Sequence, residues 1–220
     1  MENQTLDSAA ENETAFTIRA VKQAASDCVE ITTEEGPVFF VRMQYLELVK
    51  PERIVPGASF YDDEAEDIMA SGFAFSAERK AVDYLSRSEQ CRFGLERKLS
   101  EKSFDKAAVK KALDYLESKK YLDDARFARA WLRIRAISKW QGRTRLAKEL
   151  AVRGIDRKTS DDALDEFFVQ YSEEDLCRKA CQKAVHAGKS GDKLLKYLTD
   201  NGFPYRMSRS VSGETSSEEE

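Results

Sequence analysis

The sequence contains no GxxxxGKS/T loop, no GxGxxG, no GxSxG, no HExxH and no CxxC. The usual signatures of phosphate-loop, dinucleotide-binding, serine-hydrolase and zinc-protease chemistry are therefore missing. There is one histidine, His186, with no acid of obvious purpose beside it, and the chain is read as non-enzymatic and without a cofactor. Cys28, Cys91, Cys177 and Cys181 are too scattered for a disulfide framework. Cys177 and Cys181 share a helix face and His186 follows five residues later, but a zinc site needs a fourth ligand and a tighter knuckle. The thiols are read as small buried side chains. No apolar run approaches the roughly eighteen residues that cross a bilayer, and the opening MENQTLDSAAENETAF is acidic and polar where a signal peptide is basic and then apolar. A cytoplasmic protein with no membrane partner is expected.

Proline is scarce and unevenly placed. Pro37, Pro51 and Pro56 fall early and Pro204 near the end, so the long stretch between Pro56 and Pro204 is free to be helical. The early part reads differently. Phe16, Ile18 and Ala20 alternate with polar residues, Cys28 to Ile31 alternates again, and Val38 to Val41 is β-branched and aromatic. The turn Glu34-Glu35-Gly36-Pro37 joins the last two as a hairpin. Residues 1–14 and 206–220, the latter ending SGETSSEEE, carry too little apolar surface to offset the entropy of ordering and are expected to be disordered.

The helical stretch contains a repeat. Leu95-x3-Leu99-x4-Phe104, Leu146-x3-Leu150-x4-Ile155 and Leu194-x3-Leu198-x4-Phe203 start 51 and 48 residues apart. Leucines at i and i+4 share one helix face. The apolar residue five further on lies past the helix end, where Gly154, Gly202 and, in the first copy, Ser103 take a left-handed turn. Asp105 and Asp156 then cap the next helix, with Pro204 in the third copy. The fold class expected is mainly α: tandem three-helix, helix-turn-helix-like repeats in an elongated array, with a small N-terminal antiparallel β segment. The expected boundaries are a β-rich segment at 15–61, a linker helix with the first repeat at 62–124, a second repeat at 125–172, a shortened third at 173–205 and a disordered acidic tail at 206–220.

Charge is segregated along the chain. Residues 1–76 hold 5 Lys+Arg against 15 Asp+Glu, whereas residues 126–158 hold 11 basic side chains and only two acids, Glu149 and Asp156. On a wheel of the helix expected at 124–139, Phe127, Trp131 and Ile134 lie within about 60° of one another and form a core-facing stripe. Arg126, Arg129 and Arg133 fall on the opposite side. With Lys139, Trp140, Arg143, Arg145, Lys148 and Arg153 they form the candidate surface for an anionic partner, on which guanidinium groups pair bidentately and an exposed Trp140 stacks. Asp123 and Asp124, just before this helix, lack a third carboxylate or a histidine and are read as its caps.

Three segments, YLSRSEQCRFGLERKLSEKSF, KKALDYLESKKYLDDARFARAWLRIR and GRTRLAKELAVRGIDRKTSDDALDEFF, resemble the three-helix repeats of the RecX family, bacterial regulators of the RecA recombinase. The most specific marks are the YLDD-x-x-FA junction at Tyr121 to Ala128 and the RL-x-x-EL-x-x-RGI block at Arg145 to Ile155. The resemblance covers about residues 78 to 203. It implies a non-enzymatic binder of the RecA filament on single-stranded DNA that inhibits RecA ATPase and strand exchange and so modulates recombination and repair; a monomer is expected. Two other readings stay open: a protein that binds DNA directly through its repeats, and a helical adaptor for another protein.

Overall fold

A computed structural model describes residues 14–25 and 27–217; the disorder expected at 1–14 lies outside them except at Thr14, which begins the first strand. Strands β1 (Thr14–Ala25), β2 (Cys28–Thr33), β3 (Val38–Arg42) and β4 (Ser59–Tyr61) form one antiparallel sheet in the order β3-β2-β1-β4. The expected hairpin is present, with Ile31 opposite Phe39 and Val29 opposite Val41. β4, too short to read in the sequence, pairs with the first residues of β1. Phe16, Ile18, Ile31, Val41 and Phe60 are buried together with Ile68, which is the alternation of the strands turned onto one face.

Nine helices follow among the described residues: α1 (Asp62–Leu85), α2 (Arg92–Ser100), α3 (Lys106–Ser118), α4 (Asp124–Ser138), α5 (Arg143–Val152), α6 (Arg157–Gln170), α7 (Glu173–His186), α8 (Gly191–Asp200) and α9 (Tyr205–Ser217). None is long and apolar enough to cross a membrane. The linker helix and the first helix of the first repeat, expected as separate pieces, are one 24-residue helix, α1. Its buried face is made largely of small residues (Ala65, Ser71, Gly72, Ala74, Ala77, Ala81), which lets it lie close to the sheet. A Cβ on Gly72 would stand 3.1 Å from the Phe39 ring.

The tail expected to be disordered from residue 206 is instead helix α9 as far as Ser217. Ser208 and Val211 are buried and Met207 packs against the same core as Leu194, Leu198 and Phe203. Two apolar side chains at i and i+4 give a short helix a buried stripe, although its mean hydropathy is low. The third repeat is therefore complete.

Contacts divide the chain into two units, one comprising the chain through Asp83 together with Leu99–Leu116, the other Tyr84–Lys98 together with the chain from Glu117. The first repeat is thus shared between them. In the first unit Arg42, at the end of β3, donates to Glu78 of α1 (2.7 and 2.5 Å) and to Asp27 (2.6 Å), while the Tyr45 hydroxyl donates to Glu78 at 2.8 Å. Tyr115 of α3 lies under the same guanidinium at 4.2 Å. A buried charge is tolerable only when so satisfied. Asp67 of α1 accepts from the backbone N–H groups of Glu47, Leu48 and Val49, fixing the loop after β3.

Candidate partner-binding surface

The repeat seen in the spacing is a repeat in hydrogen bonds. Phe104 N–H donates to Leu99 O, Ile155 N–H to Leu150 O and Phe203 N–H to Leu198 O, at 3.2, 3.2 and 3.3 Å. Ser103, Gly154 and Gly202 carry the positive φ values (61°, 77° and 90°) that this turn needs. Asp105 accepts from Ala107 and Ala108 N–H, and Asp156 from Thr159 N–H, as caps of α3 and α6.

Within the second unit the joints between repeats also recur. Asp123 is the N-cap of α4 and accepts from Arg126 N–H at 2.9 Å, while Ser172 caps α7 and accepts from Asp175 N–H. Asp124, expected as a cap of its own helix, instead reaches back to the first N–H of α2, that of Arg92, at 2.7 Å. Glu173, in the matching place at the start of α7, accepts from the first N–H of α5, that of Arg143, also at 2.7 Å. The two aspartates therefore cap two different helices and their pKa values part. The backbone bond from Arg126 holds the Asp123 carboxyl below its ordinary value, whereas burial pushes Asp124 up against the bond from Arg92.

The same joints bring backbones together. A Cβ on Gly154 would stand 2.5 Å from the Phe93 Cβ near the start of α2, and one on Gly202 would stand 2.3 Å from the Arg145 nitrogen near the start of α5. Gly142 N–H donates to Asn201 O at 3.0 Å across the second of these contacts.

On α4 the buried stripe is Ala128 and Leu132, with Phe127 and Trp131 half-buried beside it. Ile134, expected in that stripe, is 67% exposed. Bulk favours Ile134 on a helical wheel, whereas Ala128 contributes little apolar weight yet is fully buried. Arg126 and Arg129 are half-buried and Arg133 is exposed, with Arg129 and Arg133 lining a small hollow beside Leu132, and most of the candidate cations are engaged. Arg126 pairs with Glu89 at 2.6 Å, Arg129 with Glu166 at 2.6 Å and Arg143 with Asp165 at 2.6 Å. Arg145 and Arg153 approach Glu149 at 3.3 and 3.8 Å, and Arg135, on the inward side, pairs with Glu149 at 2.6 Å. The Arg135 and Arg153 guanidinium groups flank the Trp131 ring at 5.0 and 4.6 Å. Burial alone would raise the Glu149 carboxyl, but the Gln141 bond and the surrounding arginines hold it below its ordinary value.

Trp140 is not the open stacking platform expected. It is half-buried against the core with φ at 44° and Lys183 at 5.5 Å over its ring. Arg133, Lys139 and Lys148 remain exposed with no ion-pair partner among the described residues. So do Lys179, Lys193, Lys196, Arg206 and Arg209 in the third repeat. Cys177 and Cys181 are core residues, the Cys177 thiol pushed up to about 12 by burial, and His186 bonds to Gln182 O at 2.7 Å.

Comparison with known proteins accords with this arrangement. Residues 77–116 match the family model described as RecX, first three-helix domain, and residues 123–164 the model described as RecX, second three-helix domain. A protein of Treponema pallidum named Regulatory protein RecX is 36% identical over 142 residues, which is 64% of this chain and 87% of that one. A Pseudomonas putida protein of the same name is 32% identical over 139 residues, 61% and 88% of the two chains. A crystal structure of a regulatory protein RecX superposes with a TM-score of 0.70 at 20% identity, covering 89% of this chain and 98% of that one. RecX from Lactobacillus salivarius gives 0.53 at 19% identity over 64% and 96%; these two show likeness of fold. With both three-helix models matched in order and most of the length of the sequence relatives covered, the chain belongs to the RecX family of regulatory proteins.

Proposed function

We propose that this chain regulates RecA by binding, as a monomer and without chemistry of its own, to the RecA filament on single-stranded DNA, where it inhibits ATP hydrolysis and strand exchange. The observation that carries the reading is the set Arg133, Lys139 and Lys148. These are cations on α4, the α4–α5 turn and α5 that serve no ion pair among the described residues, in a chain of the RecX family. Cations already paired are satisfied, whereas unpaired ones are available to phosphates or carboxylates of a partner. The paired arginines hold the helices in place, and the unpaired set makes the contact.

The test is RecA ATPase on single-stranded DNA with and without the chain, alongside binding to bare DNA, to RecA and to RecA-coated DNA. Loss of ATPase together with tighter binding to the coated DNA than to either component is expected. Unchanged ATPase with tight, steeply salt-dependent binding to bare DNA would replace this reading with direct DNA binding.

A further inference from the structure

In the first unit a groove of about 350 Å³ opens between α1 and the end of the sheet where β2 turns into β3. Phe16, Pro37 and Phe39 line it on one side and Met69 and Phe73 of α1 on the other, with Gly72 leaving the floor open. Met69 is 45% and Phe73 57% exposed. On the far flank of Phe73 lies a second hollow of about 280 Å³, walled by Ala70, Ala107 and Ala108, with Asp105 and Lys111 also lining it and Lys111 paired with Glu47 at 2.7 Å. Phe73 is therefore a ridge between two apolar hollows. An exposed phenylalanine in such a setting adds little to the fold, and continuous apolar surface of this kind marks an interaction site.

The charge around the groove says what fits it. Glu35 lines the groove, Glu34 precedes it, and Glu66 stands on α1 one turn before Met69. All three are exposed with no ion-pair partner among the described residues. The cations farther along α1 are engaged: Arg79 lies 5.8 Å over the Phe40 ring and Lys80 is 3.7 Å from Asp83. The rim is thus net negative. The chain's own first thirteen residues hold Glu2, Asp7, Glu11 and Glu13 and no lysine or arginine, the wrong charge for such a rim.

We propose that this groove docks an amphipathic segment of a protein partner, one that presents a large apolar anchor flanked by lysine or arginine. The anchor fills the hollow beside Phe73 and the cations meet Glu34, Glu35 and Glu66, the helix-in-groove mode with complementary rim charge. The site is independent of the cationic residues of the repeats and would serve to recruit the chain to a partner.

A fluorescein-labelled amphipathic leucine–lysine peptide serves as the probe, with the full chain titrated by anisotropy and the methionine methyl signals followed by NMR. Saturable binding is expected, with the Met69 methyl shifting, and a leucine–glutamate peptide should not bind. Phe73→Asp should weaken binding tenfold or more while circular dichroism shows the fold intact, and Glu35→Lys with Glu66→Lys should weaken it as well. Non-specific charge attraction predicts the opposite for Phe73→Asp, which makes the surface more acidic. Binding that Phe73→Asp leaves unchanged or tightens, or a Met69 signal that does not move, overturns the proposal. So does a concentration-dependent dimer abolished by Phe73→Asp, which would assign the groove to a second copy.

Discussion

Arg133, Lys139 and Lys148 offer the sharpest test of how this chain meets its partner, because their removal disturbs so little else. All three are exposed and make no ion pair among the described residues. Replacing them together with glutamine should therefore change stability by no more than about 0.5 kcal/mol per site. If each contacts a phosphate of the single strand within the filament, each contributes about 0.7 to the slope of log affinity against log salt. Three contacts amount to a slope of about 2, or a roughly 20-fold loss of affinity between about 50 and about 200 mM salt. The measurement is anisotropy binding to a preformed RecA filament on labelled single-stranded DNA, at several salt concentrations, for the parent and the triple variant. The variant should bind more weakly at low salt and lose most of this extra dependence. The matched control neutralises Arg126, Arg129 and Arg143, which leaves Glu89, Glu166 and Asp165 bare; it should perturb stability more than the salt slope. Equal affinity and equal slope for the parent and the Arg133/Lys139/Lys148 variant would refute the reasoning.

Two further outcomes follow from the joints. Gly202→Ala should cost well over the about 1 kcal/mol of a left-handed alanine, because its Cβ would stand 2.3 Å from the Arg145 nitrogen, whereas Gly188→Ala, at φ 76° with open space around it, should cost only that strain; urea melts of the two variants check the difference. Asp123 and Asp124 should titrate on opposite sides of the ordinary carboxyl value in carboxyl-carbon NMR, Asp123 below and Asp124 above. Asp123 then contributes stability that is present above its unfolded pKa and is lost as the pH falls through its lower folded value. Asp124 contributes stability that is present below its unfolded pKa and is lost as the pH rises through its higher folded value. Asparagine at each position should shift the acid limb of the stability curve in opposite senses.

The repeat was legible because its signal is local. Leu95, Leu146 and Leu194, with their partners four and nine residues on, sit in three copies of one hydrogen-bonded turn, and a turn of that kind writes itself into consecutive residues. What was not legible depends on distance or on small side chains. The acids that pair with Arg126, Arg129 and Arg143 lie 22 to 37 residues away in sequence, so a count over 126–158 made the segment look unpaired. Ala128 marks the buried line of α4 without announcing it. The length of α1 was hidden for the same reason, since Ser71, Gly72 and the alanines of its buried face give little apolar contrast. α9 was missed because Met207 and Val211 are its main apolar contacts in an otherwise polar run.

The joints also decide how an anionic partner can be gripped. A helix N-terminus is ordinarily the readiest phosphate site in a helical protein, since its first N–H groups are unpaired and the dipole favours negative charge. Here the first N–H of α2 is taken by Asp124 and that of α5 by Glu173. A phosphate approaching either end would meet a carboxylate rather than a donor. The α4 and α6 ends are likewise occupied, by Asp123 and Asp156. Through the second repeat, then, backbone capture of phosphate is closed by the same carboxylates that lock the repeats together. On the proposed reading, recognition falls to the long flexible side chains that have no ion-pair partner among the described residues. Contacts of that kind are screened as the solution is screened, which is why the salt dependence of the Arg133, Lys139 and Lys148 variant separates this mechanism from one built on helix ends.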